Sequence, residues 1–171
     1  MMKQKIEDAF NTHLNAESFS AHLYMSMSAY FQSINLKGMA HWMRLQADEE
    51  TIHEMKFFDY ILARGGKVIL DQIGAPPAEW DSTLAVFEAA YGHEQMISAK
   101  INTLVDLSLA ESDHASNAFL QWFVTEQVEE EESVLEIVDQ LKLIEDDRGA
   151  LFMLDRELGQ RAAAATTTQE A

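Results

Sequence analysis

Apolar residues recur along most of the chain at alternating steps of three and four, the spacing that lines one face of an α-helix. Over 6–34 one such row reads Phe10, Leu14, Ala21, Tyr24 and Phe31, interrupted by Glu17 and Ser28. A second row, Phe19, Leu23, Met27, Tyr30 and Ile34, falls about 200° away by the helical period. The pattern predicts a first helix over 6–34, ending at the turn Asn35–Leu36–Lys37–Gly38. A helix that is apolar on two faces packs on both sides, and the expected second partner is another subunit. A second helix is predicted over 39–64, with Met43, Ala47, Phe57, Tyr60 and Ile61 facing inward and Leu45, Ile52, Met55 and Leu62 forming an outer row. Gly65–Gly66 stops it, glycine being the usual residue just past a helix end.

Residues 67–80 contain Gly74 and the pair Pro76–Pro77, which forbid a helix through the end of this segment. Fully extended it reaches ~46 Å, more than the ~39 Å of the preceding helix. It can therefore travel the length of a bundle and leave the third helix parallel to the second. That third helix is expected from an N-cap at Asp81 or Ser82 to residue 110, with Phe87, Tyr91, Ile97, Ile101, Leu104 and Leu107 in its row. The short polar stretch 111–116 returns the chain antiparallel. The fourth row, Leu120, Phe123, Gln127, Glu130, Val134, Ile137 and Leu141, keeps the three–four alternation throughout, the seam of a left-handed bundle. A short fifth helix is expected over 150–158. The segment 161–171 has nothing to bury and is expected to be a disordered tail. The predicted fold is all-α, a single domain over 1–160. It is a four-helix bundle with one long crossover between the second and third helices and a short fifth C-terminal helix.

Composition narrows the chemistry. The absence of cysteine excludes disulfide scaffolds, thiolate metal sites and cysteine nucleophiles, and fits a cytoplasmic protein. No stretch has the apolar length of a signal peptide or a membrane span. A formal net charge of −17 disfavours nucleic acid and anionic membranes as partners and draws cations to the surface.

The interruptions of the apolar rows carry the candidate site. Every long helix places acid in its own core row: Glu17 in the first, Glu50 with His53 in the second, Glu94 in the third, Glu130 with Gln127 in the fourth. Glu50 and His53 stand three apart and so share a helical face. Burying ionised carboxylates costs several kcal/mol each without a counter-charge, and these rows contain no Lys or Arg. Two divalent ions would neutralise four carboxylates. Oxygen-rich ligation with one imidazole favours iron or manganese.

These residues carry a resemblance to a known family. Glu17, the run Glu49–Glu50–Thr51–Ile52–His53, Glu94 and the run Trp122 to Glu130 make residues 1–160 similar to the non-haem bacterial ferritins. The resemblance implies a ferroxidase centre in which Glu17, Glu50 and His53 hold one iron and Glu50, Glu94 and Glu130 the other. Gln127 is then a polar neighbour and Tyr24 stands beside the centre. It also implies a third iron position at Glu49, Glu126 and Glu129, and a homo-oligomeric hollow shell of two dozen subunits. Fe²⁺ would be oxidised there with O₂ or H₂O₂ and kept as ferric mineral. Bound haem is not expected, because Gln127 and Thr51 stand where bacterioferritins have a second Glu-x-x-His and a haem-ligating Met. Rubrerythrins need cysteine, which is absent. Asn117 and Leu120 stand where animal ferritins have the acidic residues of their pores. The competing function for the same ligands is a di-metal peroxidase or oxygenase that stores nothing.

Overall fold

A computed structural model describes residues 2–163; Met1 and positions 164–171 of the expected tail lie outside the described residues. The chain forms α1 (Gln4–Ser33), α2 (Lys37–Ala63), α3 (Thr83–Ala110), α4 (His114–Ile144) and α5 (Arg148–Leu158), with no strand among the described residues. Side chains chosen for the purpose start three of these helices. Ser82 accepts from the Ala85 N–H (3.1 Å) at α3, and Asp113 from the Ser116 N–H (3.1 Å) at α4. Asp147 accepts from the Gly149 and Ala150 N–H groups at α5, so this helix begins two residues before the position expected from its apolar residues. Each such cap satisfies backbone donors that a helix start leaves unpaired. The α2 helix stops where Gly65 takes φ +72°, a conformation open to glycine at no steric cost.

The crossover runs along the outside of α1 and is stitched to it from end to end. The Asn11 amide donates to the Lys67 carbonyl (2.9 Å) and accepts from the Ile69 N–H (2.6 Å), and Asn15 holds Ile69 and Asp71 in the same way. Further along, Ser26 donates to the Pro77 carbonyl (2.6 Å) and Tyr30 to that of Trp80 (3.0 Å). The 67–80 segment thus carries the chain the length of the bundle, and α3 starts at the far end. This corrects the expected use of the second apolar row of α1. Leu23 and Met27 are buried within the subunit, and Tyr30 packs edge-on against Trp80. In this row Ile34 is left exposed. On α2, Leu45 is buried, whereas Ile52, Met55 and Leu62 are 37%, 44% and 49% exposed, so its outer face is the one without a partner inside the chain.

The core is divided in two. One apolar cluster gathers Leu23–Phe31, Met39–Ala47, Val86–Ala90 and Val134–Leu141 positions with Leu154 and Leu158. The other gathers Ile6–Leu14, Phe57, Ile61, Ile97–Leu104, Leu120 and Phe123. On all four helices the acidic positions fall in the interval between the two clusters. The fifth helix closes the first cluster by seating on the start of α2. A Cβ at Gly38 would lie 1.6 Å from the Asp155 carbonyl oxygen, so only glycine permits this approach. Asp155 then accepts from the Met39 N–H (2.9 Å).

Candidate metal centre

Between the clusters, α1 delivers Glu17, α2 delivers Glu50 and His53, α3 delivers Glu94, and α4 delivers Gln127 and Glu130. None is more than 6% exposed. Ligand atoms of Glu17, Glu50 and His53 all lie within 4.8 Å of one another, and so do those of His53, Glu126 and Glu130. The imidazole stands between the two trios, with Nδ1 3.4 Å from Glu50 Oε2 and Nε2 4.0 Å from Glu126 Oε1. Phe123 and Trp122 wall it edge-on.

The grouping on the α3–α4 side differs from the expected one. Glu94 belongs to neither trio; its Oε1 accepts from the Tyr24 hydroxyl (2.5 Å) and its Oε2 from the Gln127 amide (3.2 Å). Glu126, expected in an outer set with Glu49 and Glu129, instead joins Glu130, four residues on along the same helical face. Glu129 is exposed and Glu49 is engaged by Arg161, so the three are not drawn together.

Two residues of the layer escaped the sequence reading. His13 is 2% exposed and lies with Nε2 2.8 Å from Glu17 Oε1. Gln46, fully buried, donates to Glu130 Oε2 (2.7 Å). Both stand four residues before a layer carboxylate on their own helix, and that spacing was the available signal. His93 is likewise buried, hydrogen-bonded to Ser20 (2.7 Å).

A single oxygen marks where a cation fits. Among the described residues, the buried side-chain atoms without a hydrogen-bond partner are Glu17 Oε2 and His13 Nδ1. An unpaired buried acceptor costs about 1–3 kcal/mol, and a carboxylate with His13 on one oxygen presents the other to a metal ion. The donor set is carboxylate and imidazole, suited to iron.

A family model described as Ferritin-like domain matches residues 7–144. The chain is 42% identical over 161 residues to a bacterial non-heme ferritin of Bacteroides fragilis, covering 94% of this chain and 100% of that one. The chain belongs to the ferritin family. It is also 37% identical to a bacterial non-heme ferritin of Staphylococcus epidermidis over 95% of this chain and 98% of that one. Among solved structures, the open-pore ferritin of the hyperthermophilic archaeon Archaeoglobus fulgidus superposes with a TM-score of 0.94. The identity is 49%, covering 95% of this chain and 100% of that one. A closed form of the same ferritin, engineered by site-directed mutagenesis, also superposes with TM-score 0.94 at 49% identity, covering 95% and 99% of the two chains.

Burial and mutual repulsion raise most of the carboxyl pKa values of this ferritin layer. Burial, then the neighbouring Glu94, Glu17 and Glu130, push the Glu50 carboxyl well above the usual range. Burial raises Glu94 to about 7 against the pull of Tyr24 and Gln127, and burial with Glu94 raises Glu130 to about 7. Burial and the same carboxylates push the Tyr24 phenol well up, so it stays a hydrogen-bond donor. Glu17 goes the other way: burial raises it, but His13 and His53 together outweigh burial and hold it low.

A pH dependence follows for the metal-free protein. Glu50, Glu94 and Glu130 bind protons more tightly folded than unfolded, so stability falls as pH rises through the interval between the two pKa values. Burial holds His93 at about 4; it acts oppositely, but most of its contribution is already gained below pH 6.5. From pH 6.5 to 8 the Tm of metal-free protein is expected to drop by about 5 °C or more, and saturating Zn²⁺ at pH 8 should restore it. A metal-free Tm that climbs across this interval would contradict the raised carboxyl pKa values.

Proposed function

We propose that the chain oxidises Fe²⁺ at the buried layer and stores the product as ferric mineral within a hollow homo-oligomer of two dozen subunits in the cytoplasm. In this reading residues 1–160 act as one domain. The observation that carries it is the orphaned Glu17 Oε2 in a belt of buried carboxylates around the His53 imidazole, in a chain of the ferritin family. Glu17, Glu50 and His53 would hold one iron, and Glu130 with Glu94 the second, Glu50 lying between them. Tyr24 and Gln127 hold Glu94 in place through their hydrogen bonds, and Gln46 does the same for Glu130. Glu49, Glu126 and Glu129 would pass iron outward. Iron is substrate and cargo here. Two Fe²⁺ each give up one electron, dioxygen takes both with two protons and leaves as hydrogen peroxide, and two Fe³⁺ remain.

No helix of the described residues is long and apolar enough to cross a membrane. The exposed α2 row of Ile52, Met55 and Leu62 supports self-association, since exposed apolar rows mark contact surfaces.

The deciding experiment adds Fe²⁺ in air in repeated aliquots and measures iron that stays with the protein after gel filtration. Retention is expected to rise with each aliquot far past the number of ligand sites. Retention that saturates at two or three irons per subunit, with oxidation continuing, would replace storage by a di-metal redox enzyme.

A further inference from the structure

The fifth helix delivers a cation to the edge of the metal centre. Just past its end, the Arg161 carbonyl accepts from His41 Nε2 (2.9 Å), and its guanidinium lies 4.8 Å from the centre of the Trp42 ring. Nη1 donates to Gln46 Oε1 (2.5 Å) and Nη2 to Glu49 Oε2 (2.7 Å). Trp42, Gln46 and Glu49 are spaced i, i+4 and i+7 and form one stripe of α2. The Gly38–Asp155 contact fixes where that stripe meets the chain leaving α5.

An amide has two ends of nearly equal shape, and which end points where is decided by its partners. Arginine can only donate, so it takes the Gln46 oxygen and turns the Gln46 N–H toward Glu130 Oε2. The same guanidinium occupies a carboxylate oxygen of Glu49 from a position 26% exposed. No other Lys or Arg of the described residues forms an ion pair with Glu49, Glu126 or Glu130.

We propose that Arg161 is a positioning residue for the centre: it locks the Gln46 amide with its N–H toward Glu130 and holds Glu49 as a tethered cation, which a metal ion must displace to use that carboxylate. The proposal rests on the reading of the buried layer as a divalent-metal site. It gives the short fifth helix a task at the centre, namely to set how readily an ion moves from Glu130 and Glu126 to Glu49.

The test is calorimetric titration of the full-length, metal-free assembly with Zn²⁺, which binds without being oxidised. Arg161→Gln is expected to tighten the weakest Zn²⁺ event about tenfold, or to reveal one that wild type lacks, the size of an ordinary coupling between sites. Arg161→Lys keeps the charge but loses the two-pronged fork and should fall between the two, with assembly size checked by light scattering. In a Glu49→Gln background, Arg161→Gln should leave the weakest event unchanged. If wild type binds two or more ions and Arg161→Gln alters none of them, Arg161 has no such role while the metal centre stands. A gain that persists in the Glu49→Gln background also overturns the proposal, because it would then come from general loosening of α5. Wild type that binds no Zn²⁺ would remove the metal centre and Arg161 with it.

Discussion

Glu50→Ala is expected to abolish the rapid phase of Fe²⁺ oxidation, slowing it by about a hundredfold or more, while the assembly stays intact. Glu50 is the carboxylate that the rest of the layer faces. His53 Nδ1 lies 3.4 Å from it, and Glu94, Glu17 and Glu130 all act on its charge. In the proposed reading Glu50 lies between the two metal positions, so its loss would remove a ligand from each. The subunit should tolerate the change. Removing one of several mutually repelling buried carboxylates relieves strain in the metal-free state, which offsets the cavity left behind. Stopped-flow absorbance after mixing anaerobic Fe²⁺ with aerated protein reads the rate, and light scattering the assembly. A rapid phase of wild-type amplitude and rate in Glu50→Ala would remove this layer from the oxidation chemistry.

Met55→Glu combined with Leu62→Glu is expected to break the assembly into species a few subunits in size or smaller, seen as a fall in light-scattering mass at micromolar concentration. These positions are 44% and 49% exposed on the outer face of α2, so the charges are solvated in the lone subunit and its helical content should be kept. In an assembly that covers this face each charge would be buried without a partner, at a cost of several kcal/mol. Leu23 and Leu45 would be poor places for the same change. They are 6% and 8% exposed inside the subunit, and glutamate there would damage the fold as well as the contact. An undiminished mass for Met55→Glu/Leu62→Glu would show that self-association uses another face.

The four long helices, the Ser82 cap and the crossover were legible in the sequence because they depend on local chemistry. The three–four spacing, Gly65 at φ +72° and the proline pair act within a few residues of where they stand. The acidic layer was legible for a related reason: a carboxylate in an apolar row is an anomaly on its own helix, and four helices repeat it. Partnership between helices was not. The second apolar row of α1 looks the same whether a second subunit or the chain's own crossover covers it. The asparagine and tyrosine bonds to 67–80 decided for the crossover.

The grouping within the layer was also a tertiary matter. Glu94 turned to Tyr24 and Gln127, and Glu126 to the His53–Glu130 side, because each oxygen takes the nearest donor and helix rotation sets which one that is. His13 carried its signal in its i, i+4 spacing from Glu17, whereas Gln46 reaches across to Glu130 on α4, a partner that only the packing of the helices sets. Arg161 had no signal at all. It follows α5 in a stretch with nothing to bury, and only the close seat of Gly38 on Asp155 brings its guanidinium, more than a hundred residues along the chain, to Gln46 and Glu49. Periodicity is a property of one helix, and so the sequence by itself determined the helices and the acid they bury. Which donor meets which carboxylate depends on rotations and contacts between helices, and that was decided by the packed structure alone.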